Sequence, residues 1–230
     1  MNMNLYIVIG AYGSGKSEYS INIARTLNDE GKDVVLADLD VVNPYFRSRD
    51  VRDEYAKLGI EVVAPEGQFM HADLPMLSPR IKGAIEDYSK TVVLDVGGDP
   101  AGCRTLGRFE ESILERGYQM HFVVNTRRPF TGNMQDIIVM KEQLEFTSKQ
   151  KITHLICNTN LMQYTDAAVV EEGIEILKEV EEYTQLPFEH YLVLDEYAGI
   201  VPDGLGGKKR LVLRYNLKKP WERLQAKGIC

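Results

Sequence analysis

The sequence has few of the residues that build metal centres or disulfide networks. Its 230 residues include three cysteines and four histidines. Cys103, Cys157 and Cys230 lie far apart and form no CxxC pair, which predicts free thiols in a reducing compartment. The histidines are isolated, without the spacing of a metal site. These absences exclude a disulfide-stabilised fold and argue against delivery of a metal or cluster through a cysteine pair.

Long hydrophobic runs and an excess of basic charge are also missing. No segment approaches the roughly 18 apolar residues of a membrane span, and the first residues lack the basic region of a secretory signal. Asp and Glu number 34 against 27 Lys and Arg, a formal net charge of −7. Such a balance disfavours nucleic acids and anionic lipids as partners. We therefore expect a cytoplasmic protein that binds neither nucleic acid nor a membrane.

The hydrophobic segments predict an α/β fold. Short apolar runs, such as residues 5–9 and 92–94, alternate with segments of helical periodicity, such as residues 17–27. The inner runs are continuously apolar, which is typical of strands buried on both faces of a parallel sheet. We expect a doubly wound, mostly parallel sheet of seven to eight strands with helices on both faces. No linker or repeat divides the chain, so residues 1–230 are interpreted as one domain.

A glycine-rich segment directly follows the first predicted strand and opens a helix. Residues 10–17 match the pattern GxxxxGK[ST] in full. The glycines let backbone N–H groups surround a polyphosphate, and the helix N-terminus adds positive potential. The lysine reaches the β- and γ-phosphates and the last hydroxyl binds Mg²⁺. The residues that we expect to contact the Mg-nucleotide are Gly10, Gly13, Ser14, Gly15, Lys16 and Ser17.

Glu18 follows this loop in the first turn of the helix. A carboxylate there suits the positive end of the helix dipole but repels phosphate if it points inward. We expect its side chain to point away from the phosphates, and a contact with a base or a partner is the alternative.

Carboxylates follow two other predicted strands. Asp95 ends an apolar run in the Walker B pattern, and Gly98 completes a DxxG sequence whose glycine lets a backbone N–H approach the γ-phosphate. Asp38 and Asp40 end the second strand at a spacing of two, which places both on one face if the strand continues. One can hold the water shell of the metal while the other orients or deprotonates the attacking water. The alternative for Asp95 is a strand that simply ends in a turn, and the alternative for Asp38 and Asp40 is a capped turn before the next helix.

Together these elements resemble the MinD/ParA/CobQ-type family of nucleotide-binding ATPases, the deviant P-loop proteins of the SIMIBI class. The resemblance covers most of the chain and includes residues 10–17, the aspartates above, residues 99–102, Asn158 after the sixth strand and residues 201–203. It implies that Asp40 is the hydrolysis residue and that Asp95 serves Mg²⁺, with Asp38 and Ser17 beside it. It also implies that Asn158 and Pro202 line the adenine pocket.

One position departs from that family. The second P-loop lysine, which reaches across a nucleotide sandwich dimer, is replaced here by Ala11. The ATPase interpretation remains because Lys16 is present, and a nucleotide-dependent homodimer stays open. The arginines that could supply a compensating charge are Arg47, Arg49, Arg104, Arg127 and Arg128.

The base preference is partly readable after the sixth strand. GTPases of related fold read guanine with NKxD, whereas this chain has Leu161 at the Asp position. Leucine cannot accept the guanine hydrogen bonds, and unpaired buried donors are strongly disfavoured. The sequence therefore favours ATP, with ADP as the product.

Two segments should lie at the mouth of the site. Residues 43–52 contain Tyr45 and Phe46 beside arginines, which suits a switch loop or partner surface, and packing under the next helix is the alternative. Residues 125–130 leave another strand at the same edge of the sheet and bring Arg127 or Arg128 to the crevice.

Three functions fit these patterns. The first is a Mg²⁺-dependent ATPase switch that acts on an unidentified protein partner. The second is a small-molecule kinase or ATP-dependent ligase with an acidic acceptor. The third is a nucleotide-sensing module with little turnover.

Overall fold

The computed structural model describes residues 4–40, 52–64, 79–98 and 100–217. Residues 43–51 of the predicted mouth segment lie outside these ranges, and only Arg52 of that segment is described. Asp99 and Cys230 also lie outside them.

The described residues form an eight-stranded sheet in which every neighbouring pair is parallel. The strands are β1 (Leu5–Ile9), β2 (Val34–Asp38), β3 (Glu61–Val63), β4 (Thr91–Asp95), β5 (Gln119–Val124), β6 (His154–Cys157), β7 (Phe188–Leu194) and β8 (Lys209–Leu213). Their order is β3-β2-β4-β1-β5-β6-β7-β8, so the direction of winding reverses beside β1. A ligand site is expected at such a reversal, outside the carboxyl ends of the strands.

The helices flank this sheet. They are α1 (Lys16–Asp29), α2 (Arg52–Lys57), α3 (Pro79–Glu86), α4 (Pro100–Leu106), α5 (Glu110–Arg116), α6 (Met134–Ser148) and α7 (Ala167–Thr184). Asn133 and Asp166 cap α6 and α7 by accepting hydrogen bonds from the N–H groups of Asp136 and Val169. Within the described ranges no helix is long and apolar enough to cross a lipid bilayer.

Both faces of the sheet are covered, which explains the continuous apolar runs. Ile7 and Ile9 of β1 belong to the core under α4, α6 and α7, whereas Val8 belongs to the core under α1. All three side chains are fully buried. The doubly wound α/β fold with helices on both faces is thus confirmed, with eight strands.

One predicted helix has different bounds. The periodicity predicts a helix near residues 106–116, but α4 begins earlier, at Pro100, and a 3₁₀ turn at Gly107–Phe109 separates it from α5. Glycine at position 107 has low helix propensity, which is consistent with the interruption.

Candidate nucleotide-binding site

The glycine-rich loop connects β1 to α1 and turns tightly over the sheet. Gly13 and Gly15 have φ angles of 74° and 86°, a region that residues with a Cβ adopt only with strain. A Cβ at Gly15 would also lie 2.1 Å from Nδ2 of Asn158. Only glycine therefore allows the loop to approach the end of β6 this closely.

Two side chains from neighbouring strand ends hold the loop by its carbonyl groups. Nδ2 of Asn158 donates a hydrogen bond to the carbonyl of Ser14 at 2.7 Å. Nε of Arg128 donates to the carbonyl of Gly13 at 3.0 Å. These contacts occupy carbonyl oxygens and not N–H groups, and one N–H of the loop, that of Ser14, already donates to the carbonyl of Ala11 at 3.1 Å. The buried Oγ of Ser14 has no hydrogen-bond partner among the described residues.

The lysine at the end of the loop forms a buried ion pair. Nζ of Lys16 lies 3.3 Å from Oδ2 of Asp40, and the two side chains are 5% and 2% exposed. The backbone N–H of Asp40 donates to Oδ1 of Asp38 at 3.0 Å, which orients the turn after β2. The structure therefore brings Lys16, Asp38 and Asp40 together, as the motif and the strand-end aspartates predict.

Asp95 lies beside this pair at the end of β4. It is in register with Asp38 across the β2–β4 ladder and is fully buried. Burial, followed by the charge of Asp38, raises the pKa of Asp95 to about 7, although Lys16 and a hydrogen bond from Ser17 oppose the rise. Oγ of Ser20 lies 3.4 Å from one carboxylate oxygen and 2.9 Å from the carbonyl of Lys16, so these two acceptors share a single hydroxyl donor. The other carboxylate oxygen, Oδ2, has no partner among the described residues.

This oxygen set fits a hard divalent cation such as Mg²⁺. The hydroxyl of Ser17 and the carboxylates of Asp38 and Asp95 are hard ligands, and Mg²⁺ normally combines one or two carboxylates with water and substrate phosphates. The unpartnered oxygen of Asp95 is the kind of buried acceptor that a cation satisfies. In the part of the chain that is described, no three His, Cys, Asp or Glu side chains could hold a metal by themselves.

The loop after β4 packs directly on the phosphate loop. A Cβ at Gly98 would lie 2.4 Å from the carbonyl oxygen of Gly10 and 2.9 Å from the backbone of Tyr12. Position 98 therefore requires glycine because two backbones touch there. The sequence predicts glycine at this position for a different reason, the approach of its N–H to the γ-phosphate. Movement of either loop must displace the other.

Some predicted residues take other partners. Arg127 pairs with Glu172 of α7, so it points away from the loop. Pro202, predicted at the adenine pocket, lies in an exposed turn after β7. Its carbonyl accepts a hydrogen bond from the hydroxyl of Tyr191.

The prediction that Glu18 points away from the phosphates is confirmed. Its carboxylate accepts hydrogen bonds from the backbone N–H groups of Asn216 and Leu217 at 2.7 and 3.0 Å. Asn22, one turn later, bonds the carbonyl and the N–H of Arg214. The helix that carries Lys16 is therefore fastened to the segment after β8.

Sequence reasoning missed two contributors to the site. Ser20 follows Lys16 by one helical turn, so its hydroxyl faces Asp95, and this spacing is a usable signal. Asn125 ends β5 as Asn158 ends β6, and its side chain accepts hydrogen bonds from Arg127 and Asn160. The rule that polar residues at neighbouring strand ends meet at one edge would have found Asn125.

Comparison with known proteins shows the fold. No family model matches the sequence, and no curated protein matches it. Similar solved structures include the cell division protein FtsY of Thermotoga maritima, with a TM-score of 0.56 and 20% identity over 82% of this chain and 61% of that one. Chloroplast FtsY of Physcomitrella patens gives 0.54 and 15% over 81% and 58%, and FtsY of Mycoplasma mycoides gives 0.53 and 16% over 82% and 59%.

The chain thus spans about three fifths of the length of these proteins. At such identities the likeness establishes an α/β fold of the P-loop NTPase type, in agreement with the strand order and with the loop after β1.

Proposed function

We propose that this protein is a cytoplasmic, Mg²⁺-dependent ATP-binding and ATP-hydrolysing switch of the MinD/ParA/CobQ type that acts on a protein partner. The observation that carries the proposal is the buried ion pair between Lys16 and Asp40 under a complete GxxxxGKS loop. Asp38 and Asp95, at the ends of adjoining strands, support a magnesium ion there. The fold of the P-loop NTPase type supports it further.

Each side chain has a role that follows from its position. When bound, Mg-ATP supplies the phosphoryl group that is transferred to water. Lys16 exchanges Asp40 for phosphate oxygens, which releases an oxygen of Asp40 to orient a water and take its proton. Ser17, Asp38 and Asp95 would hold the magnesium and its water shell. Asn158 and Arg128 keep the loop carbonyls turned away from the phosphates.

A phosphate-release assay tests the hydrolysis residue. Asp40→Asn should bind Mg-ATP within a few-fold of the wild type while turnover falls by about 10²-fold or more, since general acid–base groups contribute about 10²–10⁴-fold. Asp33→Asn is the control because Asp33 pairs with Lys90 on the surface at the start of β2. Wild-type turnover in Asp40→Asn would remove Asp40 from the mechanism.

Calorimetry tests the base. Leu161 stands where a guanine-reading aspartate would stand, and Nδ2 of Asn158 is already bonded to Ser14. We expect tighter binding of ATP than of GTP. Tighter GTP binding would reject ATP as the substrate but leave a nucleotide-dependent switch in place.

The switch proposal also includes a change of assembly with the nucleotide. Sedimentation with ADP and with a non-hydrolysable ATP analogue distinguishes a nucleotide-dependent homodimer from a monomer that binds another protein. A dimer only with the triphosphate analogue would support the first arrangement.

A small-molecule kinase or ligase is the second candidate, and one observation favours it. A cavity of about 280 Å³ opens beside the phosphate loop, lined largely by apolar groups that include Ala11, Gly98, Phe130 and Leu144. An acceptor there would lie next to the phosphate loop, although the apolar lining does not itself favour the acidic acceptor that the sequence predicts. ATP consumption that requires an added metabolite would favour this function over the switch, with the phosphoryl group transferred to that metabolite by a kinase, or released only in its presence by a ligase.

A further inference from the structure

A short turn after β5 directs two neighbouring arginines to different elements. The buried Asn125 closes the turn, because its carbonyl accepts hydrogen bonds from the N–H of Arg128 and from Oγ1 of Thr131. Arg127 then pairs with Glu172 of α7, whereas Arg128 extends over the phosphate loop. The turn therefore selects one arginine of the pair for the site.

The guanidinium of Arg128 lies directly against Gly13. Its Nε donates to the Gly13 carbonyl at 3.0 Å. Its Nε, Cδ and Cζ atoms lie 3.2, 3.5 and 3.6 Å from the position that a Cβ of Gly13 would take. A guanidinium carries five N–H donors, and within the described ranges only the Nε donor has a hydrogen bond. The terminal N–H groups thus remain for a ligand at an exposed position.

The charge balance of the site calls for such a donor. Lys16 is one cation among three buried carboxylates, those of Asp38, Asp40 and Asp95. A triphosphate brings further negative charge, so Mg²⁺ and Lys16 alone leave the region acidic. Arginine is the side chain best suited to phosphate, because its planar fork forms charge-assisted, bidentate hydrogen bonds.

The contacts also indicate which phosphate lies nearest. Arg128 covers Gly13, in the same part of the loop against which Gly98 packs at Gly10 and Tyr12. Gly98 is the residue that the DxxG pattern places beside the γ-phosphate. Arg128 therefore lies on the terminal side of the phosphate chain.

We propose that Arg128 is a phosphate-binding residue whose Nε fixes the Gly13 peptide while its terminal N–H groups bind the γ-phosphate of a nucleoside triphosphate. This inference rests on the proposed nucleotide binding. It adds a cation, supplied by this chain itself, that no motif in the sequence identifies.

Calorimetry with a non-hydrolysable ATP analogue and with ADP, both with Mg²⁺, tests this assignment. Arg128→Ala should weaken binding of the triphosphate analogue by about tenfold or more, as expected for the loss of a hydrogen bond to a charged group. It should weaken ADP binding by no more than about threefold. Arg128→Lys should recover part of the triphosphate affinity, since it restores the charge without the fork. Arg127→Ala, the matched control, should change neither affinity by more than about twofold.

The contrary outcomes are distinct. Equal losses for both nucleotides in Arg128→Ala would reduce Arg128 to a support of the loop, and unchanged affinities would remove it from the site. Either result with a wild type that binds the analogue rejects this inference alone. A wild type that binds no nucleotide rejects the proposed function itself.

Discussion

Asp95 is the residue at which stability and the proposed chemistry oppose each other. Its carboxylate is fully buried, faces Asp38 across the ladder and leaves one oxygen without a partner among the described residues. Burying such a group is costly unless a hydrogen bond or a counter-ion satisfies it. The position is therefore unfavourable in the ligand-free protein, and the magnesium ion proposed for this site would offset that cost.

Asp95→Asn should stabilise the ligand-free protein by about 1–3 kcal/mol near pH 8, because it removes the buried charge. The pKa of Asp95 is raised to about 7, above its ordinary value of 3.8, so the folded state binds more protons between these values. Its contribution to stability thus falls as the pH rises through this window, and the gain from asparagine should disappear below about pH 4. Urea unfolding of the variant and the wild type, near pH 8 and below about pH 4, measures this difference in stability.

If Mg-ATP binds as proposed, it should raise the stability of the wild type, and Asp95→Asn should lose most of that increase. Asp33→Asn on the surface should change neither quantity. An Asp95→Asn protein that is less stable than the wild type near pH 8 would show that the carboxylate is well satisfied in the ligand-free state.

Single residues also show how far the sequence predicts the site. The loop motif and the strand-end rule locate Lys16, Asp38, Asp40 and Asp95, because spacing along the chain fixes which strand end carries each. The choice between Arg127 and Arg128 could not be made, since adjacent residues of equal charge differ only in the direction that the turn gives them.

At the scale of elements, close packing between backbones sets helix bounds that helix propensity alone does not predict. α4 contains Gly102, a weak helix former, and a Cβ there would lie 2.6 Å from the Cα of Gly97. A residue with a Cβ would not fit at position 102, because the helix touches the backbone of the loop after β4 there. This tertiary contact explains why the periodicity misplaces the start of α4. The sequence also predicts a helix over about residues 132–146 and a helix that is capped at residues 165–166 and runs to residue 183, and α6 and α7, with their capping residues, lie within about two residues of these bounds.

Two helical glycines should respond to alanine with opposite signs. Gly83 in α3 has open space around a Cβ, so Gly83→Ala should stabilise the protein by up to about 1 kcal/mol through helix propensity. Gly173 in α7 faces Thr159, whose Oγ1 would lie 2.1 Å from the new Cβ. Gly173→Ala should destabilise by about 1–3 kcal/mol because the close contact forces the helix or the end of β6 to move.

Urea denaturation of the pair, with circular dichroism to verify helix content, measures both effects. Since Thr159 directly follows Asn158, Gly173→Ala should also weaken nucleotide binding, which Gly83→Ala should leave unchanged. Two variants of equal stability would contradict the packing described for α7.

At the scale of the whole molecule, strand order and edges were the least predictable features. Eight apolar runs are visible in the sequence, but the insertion of β4 between β2 and β1 depends on long-range pairing. β8 is confirmed as a parallel strand at one edge, and the segment after it is joined to α1 through Glu18 and Asn22. No local pattern reports such a contact across nearly 200 residues.

Three neighbouring strands carry histidines across one face of the sheet. His121 of β5 is nearly buried, its ring lies 5.1 Å from that of His154 on β6, and His190 follows on β7. The hydroxyl of Tyr19 on α1 lies 3.0 Å from Nδ1 of His121, and Tyr6 of β1 contacts the ring by its edge. Burial, and then the charges of His154 and His190, lower the pKa of His121 to about 3.

Protonation of His121 at acid pH should therefore lower the free energy of unfolding of the whole protein. The pKa of His121 is below its unfolded value of 6.5, so the unfolded chain binds more protons, and stability falls as the pH drops below about 6.5. His121→Gln keeps a side chain that can hydrogen-bond Tyr19 in either direction. Between pH 7 and pH 5 the free energy of unfolding of this variant should fall by about 2 kcal/mol less than that of the wild type, when both are unfolded with urea. Comparison of the two proteins cancels the opposite contribution of Asp95. His190→Gln, which changes a half-exposed residue, should give a smaller difference in stability from the wild type. If the stabilities of the wild type and His121→Gln had the same pH dependence, His121 would not be the group whose protonation destabilises the fold in acid.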